Sequence, residues 1–137
     1  MRPPKRVLII EDNAHNLELA TFLLEEGGMA VLSATDAEQA RAVLAGGAPY
    51  LILMDMNLPG TDGLSLLAEL RADPRLAPVP VVAVTAYAMR GDRERFLRAG
   101  CDGYLSKPID VASFFAQVLG FIAAGRLPGP AGEGGHV

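Results

Sequence analysis

Three carboxylates follow two short apolar segments of the sequence. Glu11 and Asp12 come directly after VLII, and Asp55 comes directly after LILM. Apolar runs of this length without polar alternation are typical of strands buried on both faces of a parallel sheet. Because the carboxyl ends of parallel strands lie along one edge of a sheet, we expect the three side chains to lie close together.

Carboxylates at such short range need a cation. They repel one another and raise one another's pKa values unless positive charge neutralises them. Hard oxygen ligands favour Mg²⁺, which binds one or two carboxylates and keeps several waters. No cluster of His or Cys accompanies these residues, which disfavours zinc. The sequence therefore predicts a magnesium site formed by Glu11, Asp12 and Asp55.

Two further polar residues follow apolar segments and suit phosphoryl chemistry. Thr85 ends VVAVT, and Lys107 comes two residues after the apolar pair Tyr104-Leu105. A carboxylate can attack phosphorus and form an acyl phosphate, and the phosphoryl oxygens need positive charge and hydrogen-bond donors around them. Asp55 is the predicted nucleophile, with Mg²⁺ and Lys107 supplying positive charge and Thr85 a hydrogen bond.

Each of these residues also has a structural interpretation. Asp12 and Asp55 are common residue types where a strand turns into a helix, and Thr85 can satisfy its own backbone. Lys107 favours the chemical interpretation, because the chain has two lysines against ten arginines and one of the two falls at this predicted edge.

Short apolar segments alternate with segments of helical periodicity along most of the chain. The predicted strands cover residues 5–10, 29–34, 50–54, 81–84 and 101–105. The predicted helices begin at Asn13, at a capping box formed by Thr35 and Glu38, at Leu64, near residue 89 and near Val111. Residues 57–62 are expected to form a loop. Five strands alternating with five helices through short connections predict an α/β fold, a flavodoxin-like (βα)5 three-layer domain with a five-stranded parallel sheet. This domain is expected to cover residues 5–124, followed by a disordered Gly/Pro-rich tail over 125–137.

Composition and charge exclude several classes of protein. Sixteen acidic against twelve basic residues give a formal charge of −4, which argues against binding to nucleic acid. The single cysteine, Cys101, cannot form an internal disulfide, and only four apolar residues separate MRPPKR from Glu11, too few for a signal peptide or a membrane span. We therefore expect a soluble, cytoplasmic protein without a membrane partner.

Four sequence blocks carry a resemblance to a known family. The segments VLIIEDN, LILMDMNLPGTDG, VVAVTAYAM and GYLSKPI resemble, in order and spacing, the signature blocks of response regulator receiver domains of the CheY-like superfamily. The resemblance spans about residues 5–123. The sequence also closely resembles the receivers attached to hybrid histidine kinases.

The resemblance implies roles for the residues at the predicted edge. Asp55 is implied to be the phosphoacceptor, Glu11 and Asp12 the acidic pair, and Asn57 a ligand of Mg²⁺ through its backbone carbonyl. Lys107 is implied to contact the phosphoryl group. These features imply phosphoryl transfer from a histidine kinase or a histidine phosphotransfer protein, with no enzymatic activity beyond self-catalysed phosphorylation and dephosphorylation.

The resemblance also implies how a signal leaves the domain. Thr85 is similar to the switch hydroxyl of the family, Tyr104 to its aromatic rotamer switch, and the Lys107–Pro108 bond to its cis peptide. A downstream protein is then expected on the face formed by the fourth helix, the fifth strand and the fifth helix. The implied protein is a single-domain response regulator of a two-component phosphorelay.

Three other interpretations are compatible with parts of the sequence. A receiver cut from a hybrid histidine kinase has the same residues. A Mg²⁺-dependent aspartyl-phosphate phosphatase of the haloacid dehalogenase type places a second Asp two residues after the nucleophile, where this chain has Asn57. A flavin-binding flavodoxin relative needs a Ser/Thr-rich phosphate loop after the first strand, where this chain has Glu11-Asp12-Asn13.

Overall fold

A computed structural model describes residues 4–58, 60–86 and 91–126. The elements follow in the order β1 (Arg6–Ile10), α1 (Ala14–Glu26), β2 (Ala30–Ala34), α2 (Ala37–Leu44), β3 (Leu51–Asp55), β4 (Asn57–Leu58), β5 (Thr61–Asp62), α3 (Gly63–Ala72), β6 (Val81–Thr85), α4 (Asp92–Ala99), β7 (Gly103–Ser106) and α5 (Phe114–Ala124). Within the described ranges, no helix is long and apolar enough to cross a membrane.

Five of the strands form one parallel sheet in the order β2-β1-β3-β6-β7. β1 and β3 are neighbours, and β6 lies between β3 and β7. The strand order therefore reverses next to β1, and such reversals leave a crevice beyond the carboxyl ends of the strands. This arrangement confirms the predicted α/β fold with a five-stranded parallel sheet.

Helices cover both faces of the sheet. Successive residues of a strand point to opposite faces, so Leu8 belongs to one hydrophobic core and Ile9 to the other. Side chains of α2, α3 and α4 complete the first core, and side chains of α1 and α5 complete the second. Burial on both sides explains why the three central strands, β1, β3 and β6, are almost purely apolar in sequence.

The start of α2 differs from the predicted capping box. Asp36 is the N-cap residue, and its carboxylate accepts a hydrogen bond from the Gln39 backbone N–H at 2.8 Å. The Gln39 side chain in turn accepts from the backbone N–H of Thr35 at 2.7 Å. The prediction that Thr35 and Glu38 form the box is therefore wrong by one residue, because Asp36 and Gln39 have the same three-residue spacing and occupy the capping positions.

Two other element boundaries differ from those predicted. The segment predicted as a loop after β3 contains the short antiparallel ribbon β4–β5, in which Asn57 pairs with Asp62. The last helix begins at Phe114 rather than near Val111, whose side chain is 57% exposed in the preceding turn. α4 covers Asp92–Ala99. Residues 87–90, where the predicted helix begins, lie outside the described residues. Residues 127–137 of the predicted tail also lie outside them.

The junction between β3 and α3 requires a glycine at one position. A Cβ atom on Gly63 would lie 2.8 Å from the Met56 Cα and 2.9 Å from its carbonyl oxygen. Backbone atoms cannot move away as a flexible side chain can. In contrast, a Cβ on Gly120 in α5 would meet nothing within 4 Å.

We predict opposite effects of alanine at these two glycines. Gly63→Ala should lower the free energy of unfolding by roughly 1–3 kcal/mol, since it forces the backbone apart. Gly120→Ala should raise the free energy of unfolding by about 0.5–1 kcal/mol, because alanine is the better helix former. Urea unfolding followed by circular dichroism measures both. Equal effects of the two substitutions would contradict the close approach at Met56.

Candidate functional site

The three predicted carboxylates meet at the carboxyl edge of the sheet. Glu11 follows β1, and Asp55 is the last residue of the neighbouring strand β3. One oxygen from each of Glu11, Asp12 and Asp55 lies within 4.8 Å of the others. Glu11 and Asp55 are only 5% and 4% exposed, whereas Asp12 is exposed. The arrangement offers hard oxygen ligands open to solvent on the Asp12 side, which fits a divalent cation.

Lys107 completes the site from the far side of β6. Its ammonium lies 2.8 Å from Glu11 Oε1 and 3.2 Å from Asp55 Oδ2. Because β6 separates β7 from β3, the long lysine side chain has to pass the end of β6 to reach both carboxylates. The Lys107 backbone N–H donates to the Thr85 carbonyl at 2.9 Å, and the Lys107–Pro108 peptide bond is cis.

Burial and charge act in opposite directions on these groups. Burial, the largest influence, raises the pKa of Glu11, and the nearby Asp55 charge also raises it, against the hydrogen bonds from Lys107 and the Asn13 backbone. For Lys107, burial is again the largest influence and lowers the pKa, but hydrogen bonding to Glu11 and the charge of Asp55 outweigh it, so the pKa of Lys107 is raised. The ammonium therefore stays charged and neutralises part of the acidic cluster.

Backbone donors orient the two buried carboxylates. The Asn13 backbone N–H donates to Glu11 Oε2 at 3.1 Å, and the Asn57 backbone N–H donates to Asp55 Oδ1 at 2.9 Å. Each carboxylate thus receives one N–H from two residues further along the chain and one contact from Lys107. Asn57, which is exposed at the start of β4, lies at the same edge as the acidic cluster.

Thr85 lies within the same edge and is fully buried. It ends β6, one residue beyond Val84, the register partner of Asp55, and it pairs with Ser106 of β7. The threonine therefore lies between the strand that carries Asp55 and the strand that leads to Lys107.

Tyr104 lies on the α4 side of the sheet rather than in the acidic cluster. Its ring stacks on Phe96 of α4 with centroids 6.1 Å apart and planes 21° apart. Burial, and to a lesser extent the negative charge of Asp92, raises the pKa of the Tyr104 hydroxyl. The tyrosine is partly buried against the core that α2, α3 and α4 complete.

Cys101 has a structural role in this core. It is 3% exposed in the same core, and burial raises the pKa of its thiol to about 12. A buried thiol of this kind is protonated and unreactive.

One buried carboxylate, Asp102, is not among the residues that the sequence pattern predicts to matter. It is 5% exposed and ion-paired to Arg71 and Arg126. The sequence does contain a signal for it, because Asp102 is a charged residue between Cys101 and Gly103, just before a strand and among residues without charge. It lies at the opposite edge of the sheet from Asp55.

Comparison with known families identifies this arrangement. Residues 7–119 match the response regulator receiver domain family. The chain belongs to this family and is a receiver domain of a two-component response regulator, which confirms the resemblance seen in the four sequence blocks.

Individual relatives are similar over nearly their full length. The polar-differentiation response regulator DivK of Brucella anthropi is 40% identical over 119 residues, covering 87% of this chain and 97% of that protein. The receiver domain of sensor histidine kinase PA1611 from Pseudomonas aeruginosa, solved with a magnesium ion coordinated in its active site cleft, is 35% identical with a TM-score of 0.79, covering 88% of this chain and 98% of that one. A putative response regulator from Chloroflexus aurantiacus has a TM-score of 0.82 at 27% identity, covering 88% and 98%.

We predict that Lys107 competes with a divalent cation for the carboxylates. Lys107→Met keeps the length of the side chain but removes the charge beside Glu11 and Asp55, so the affinity for Mg²⁺ should rise on the order of tenfold. Asp12→Asn should lower that affinity by a similar factor. Calorimetric titration with Mg²⁺ measures both effects.

The other lysine provides the control. Lys5 is exposed just before β1, at the opposite edge of the sheet, so Lys5→Met should bind Mg²⁺ as the parent does. Unchanged affinity in Lys107→Met would show that the ammonium does not compete with the cation for these carboxylates.

Proposed function

We propose that Asp55 accepts a phosphoryl group from a phosphohistidine on a histidine kinase or a histidine phosphotransfer protein. The single observation that carries this proposal is the buried Asp55 carboxylate held between an acidic pair and the Lys107 ammonium, 3.2 Å away. An Asp55 oxygen forms a bond to phosphorus while the bond from phosphorus to the imidazole nitrogen breaks. The histidine leaves with the electron pair of that bond.

Glu11, Asp12, Asp55 and the backbone carbonyl of Asn57 are the proposed ligands of Mg²⁺. The oxygen-only donor set supports the choice of Mg²⁺, as does the ion described for the PA1611 receiver. Bound there, Mg²⁺ supplies positive charge toward the phosphoryl oxygens.

Lys107 and Thr85 act on the phosphoryl group from the other side. The Lys107 ammonium already contacts Asp55, so it needs only a small movement away from Glu11 to contact a phosphoryl oxygen. The Thr85 hydroxyl, at the end of the next strand, donates a hydrogen bond to another phosphoryl oxygen. Both residues are proposed to act in the transfer reaction, and Thr85 is also the proposed start of the response.

The proposed response runs from Thr85 to Tyr104 and the surface around it. Movement of the Thr85 side chain toward the phosphoryl group leaves space on the β6 side of Tyr104, whose ring then turns inward and changes its contact with Phe96. The face formed by α4, β7 and α5 thereby differs between two states, and a downstream protein that prefers one state shifts their populations.

Two features support this face as the site of partner binding. α5 has no charged side chain over its whole length, FFAQVLGFIAA. A cavity of about 270 Å³ lies between β7 and the start of α5, lined by residues that include Tyr104, Ser106, Asp110, Ser113 and Gln117. A cleft with hydrogen-bonding groups beside an uncharged helix suits a protein partner rather than nucleic acid, in line with the formal charge of −4.

The proposal also covers organisation and location. Residues 5–124 are the receiver domain, and residues 125–137 are a Gly/Pro-rich tail. The protein works in the cytoplasm as a single-domain regulator without enzymatic activity beyond its own phosphorylation and dephosphorylation.

The second candidate is a receiver of a hybrid histidine kinase, supported by 35% identity to the PA1611 receiver. Sequencing the complete open reading frame separates the two.

We predict that the protein gains one phosphoryl group when mixed with Mg²⁺ and acetyl phosphate. Intact-mass spectrometry should show the gain in the parent and in Asp73→Asn, which changes a partly buried aspartate after α3, but not in Asp55→Asn. Omission of Mg²⁺ should also abolish the gain. A phosphorylated Asp55→Asn protein would place the reaction on another residue.

We predict that the Thr85 hydroxyl links phosphorylation to Tyr104. Thr85→Val preserves shape and burial but removes the hydroxyl, so acetyl phosphate should still modify the protein, at a rate about tenfold lower. The phosphorylation-dependent change in the NMR signals of the Tyr104 ring should be largely lost. Thr85→Ser keeps the hydroxyl and should retain the change; a full Tyr104 response in Thr85→Val would exclude this coupling.

A further inference from the structure

A buried ionic cluster lies at the edge of the sheet opposite Asp55. The Asp102 carboxylate accepts hydrogen bonds from Arg71 at 2.7 Å on Oδ2 and from Arg126 at 2.8 Å on Oδ1. Oδ2 also accepts from the backbone N–H of Val81 at 3.0 Å, and the Asp102 N–H donates to the Val81 carbonyl at 2.7 Å. These hydrogen bonds hold Val81, the first residue of β6, beside Asp102, which directly precedes β7.

Arg71 extends the cluster to the connections on either side of β6. Its guanidinium donates to the carbonyl of Gly100 at 2.9 Å and to those of Val79 and Ala77 at 2.7 and 3.2 Å. α3 is thereby tied both to the segment before β6 and to the turn before β7. Burial and the positive charge of Arg126 lower the pKa of Arg71, since two guanidinium groups share one carboxylate.

Arg126 ties the end of α5 to the same place. Besides its contact with Asp102, it donates to the Ala77 carbonyl at 2.7 Å. The preceding residue, Gly125, caps α5 through its N–H to the Phe121 carbonyl. The Phe121 ring packs directly on Gly103, where a Cβ atom would overlap it. The last turn of α5 is therefore fixed to the first residue of β7.

The same three elements carry the proposed response at their other ends. β6 ends at Thr85, β7 leads through Ser106 to Lys107, and α5 follows the connection that begins at Pro108. β6 and β7 are thus held by the Asp102 cluster at one end and lead to the proposed phosphorylation site at the other. Phe114, the first residue of α5, lines a small cavity together with Glu11 and Asp55.

We infer that Asp102, Arg71 and Arg126 are positioning residues that confine the response to phosphorylation to the Asp55 edge of the sheet. With β6, β7 and α5 fixed at the far edge, a change at Thr85 and Lys107 moves only the near ends of these elements, and α5 turns about Arg126 rather than shifting along its axis. This inference rests on the proposed function, because it concerns the response to the phosphoryl group on Asp55. A cluster that only adds stability would leave the extent of the response unchanged when weakened.

Hydrogen exchange with and without Mg²⁺ and acetyl phosphate tests the inference on the full chain. In the parent, phosphorylation should change exchange in peptides that cover Thr85 and 104–110, and leave peptides that cover 77–82 and 122–126 unchanged. In Arg126→Gln, phosphorylation should also change exchange at 122–126 and 100–103, by roughly tenfold in rate where the end of α5 has become free to open. The Arg126 side chain is about one-third exposed, so its replacement leaves the core intact.

The control is Arg41→Gln, the same substitution at an exposed salt bridge between α2 and α3, 2.7 Å from Glu69. It should reproduce the parent pattern. Arg126→Lys, which retains the charge but not both hydrogen bonds, should fall between the parent and Arg126→Gln.

Three results overturn the inference. The first is a parent in which phosphorylation already changes exchange at 77–82 and 122–126. The second is an Arg126→Gln variant in which the changes stay confined as in the parent. The third is an Arg41→Gln variant in which the changes extend as far as in Arg126→Gln. Intact mass recorded on the same samples separates these results from failure of the proposed function, because a parent that gains no phosphoryl group rejects the function itself.

Discussion

One ammonium shared by two buried carboxylates is the interaction on which the site depends. Glu11 and Asp55 are almost fully buried where two adjacent strands end, and two negative charges at that depth repel each other strongly. Lys107 offsets part of this repulsion, and backbone N–H groups orient each carboxylate. Asp12 remains exposed, which leaves a side of the cluster open to a divalent cation. The site can thus accept a divalent cation beside the buried carboxylates.

The order of strands makes this interaction possible. β1 and β3 are neighbours, so the residues that end them meet, and β6 brings Thr85 between Asp55 and the strand that leads to Lys107. A parallel sheet directs all these strand ends to one edge, whereas the beginnings of the same strands collect at the other. The second edge carries the Asp102 cluster. The fold therefore separates an edge that combines carboxylates with an ammonium from an edge held by hydrogen bonds to backbone carbonyls.

This separation gives the two edges different mechanical roles. In the proposed function, the side chains at the Asp55 edge change partners when a phosphoryl group arrives. Contacts at the Asp102 edge join one carboxylate to two arginines and to the backbone of β6, and removing either arginine leaves a buried charge less well compensated. The end of α5 is held at the Asp102 edge by Arg126, so we infer that the proposed response reorients the start of this helix while its end stays in place.

The sequence alone determined the fold class, the number of strands in the parallel sheet, their alternation with helices along the chain, and the polar residues at the ends of these strands. These features follow from apolar periodicity and from polar residues placed where apolar runs stop. It did not predict the N-cap of α2, since Thr35 and Asp36 are both good capping residues and only the path of the chain selects between them. Only the tertiary structure showed that Lys107 reaches Glu11 as well as Asp55, that Tyr104 stacks on Phe96, and that Arg126 pairs with Asp102. Contacts between residues distant in the chain leave no periodic signal, because they depend on which strands become neighbours and how the helices pack across them.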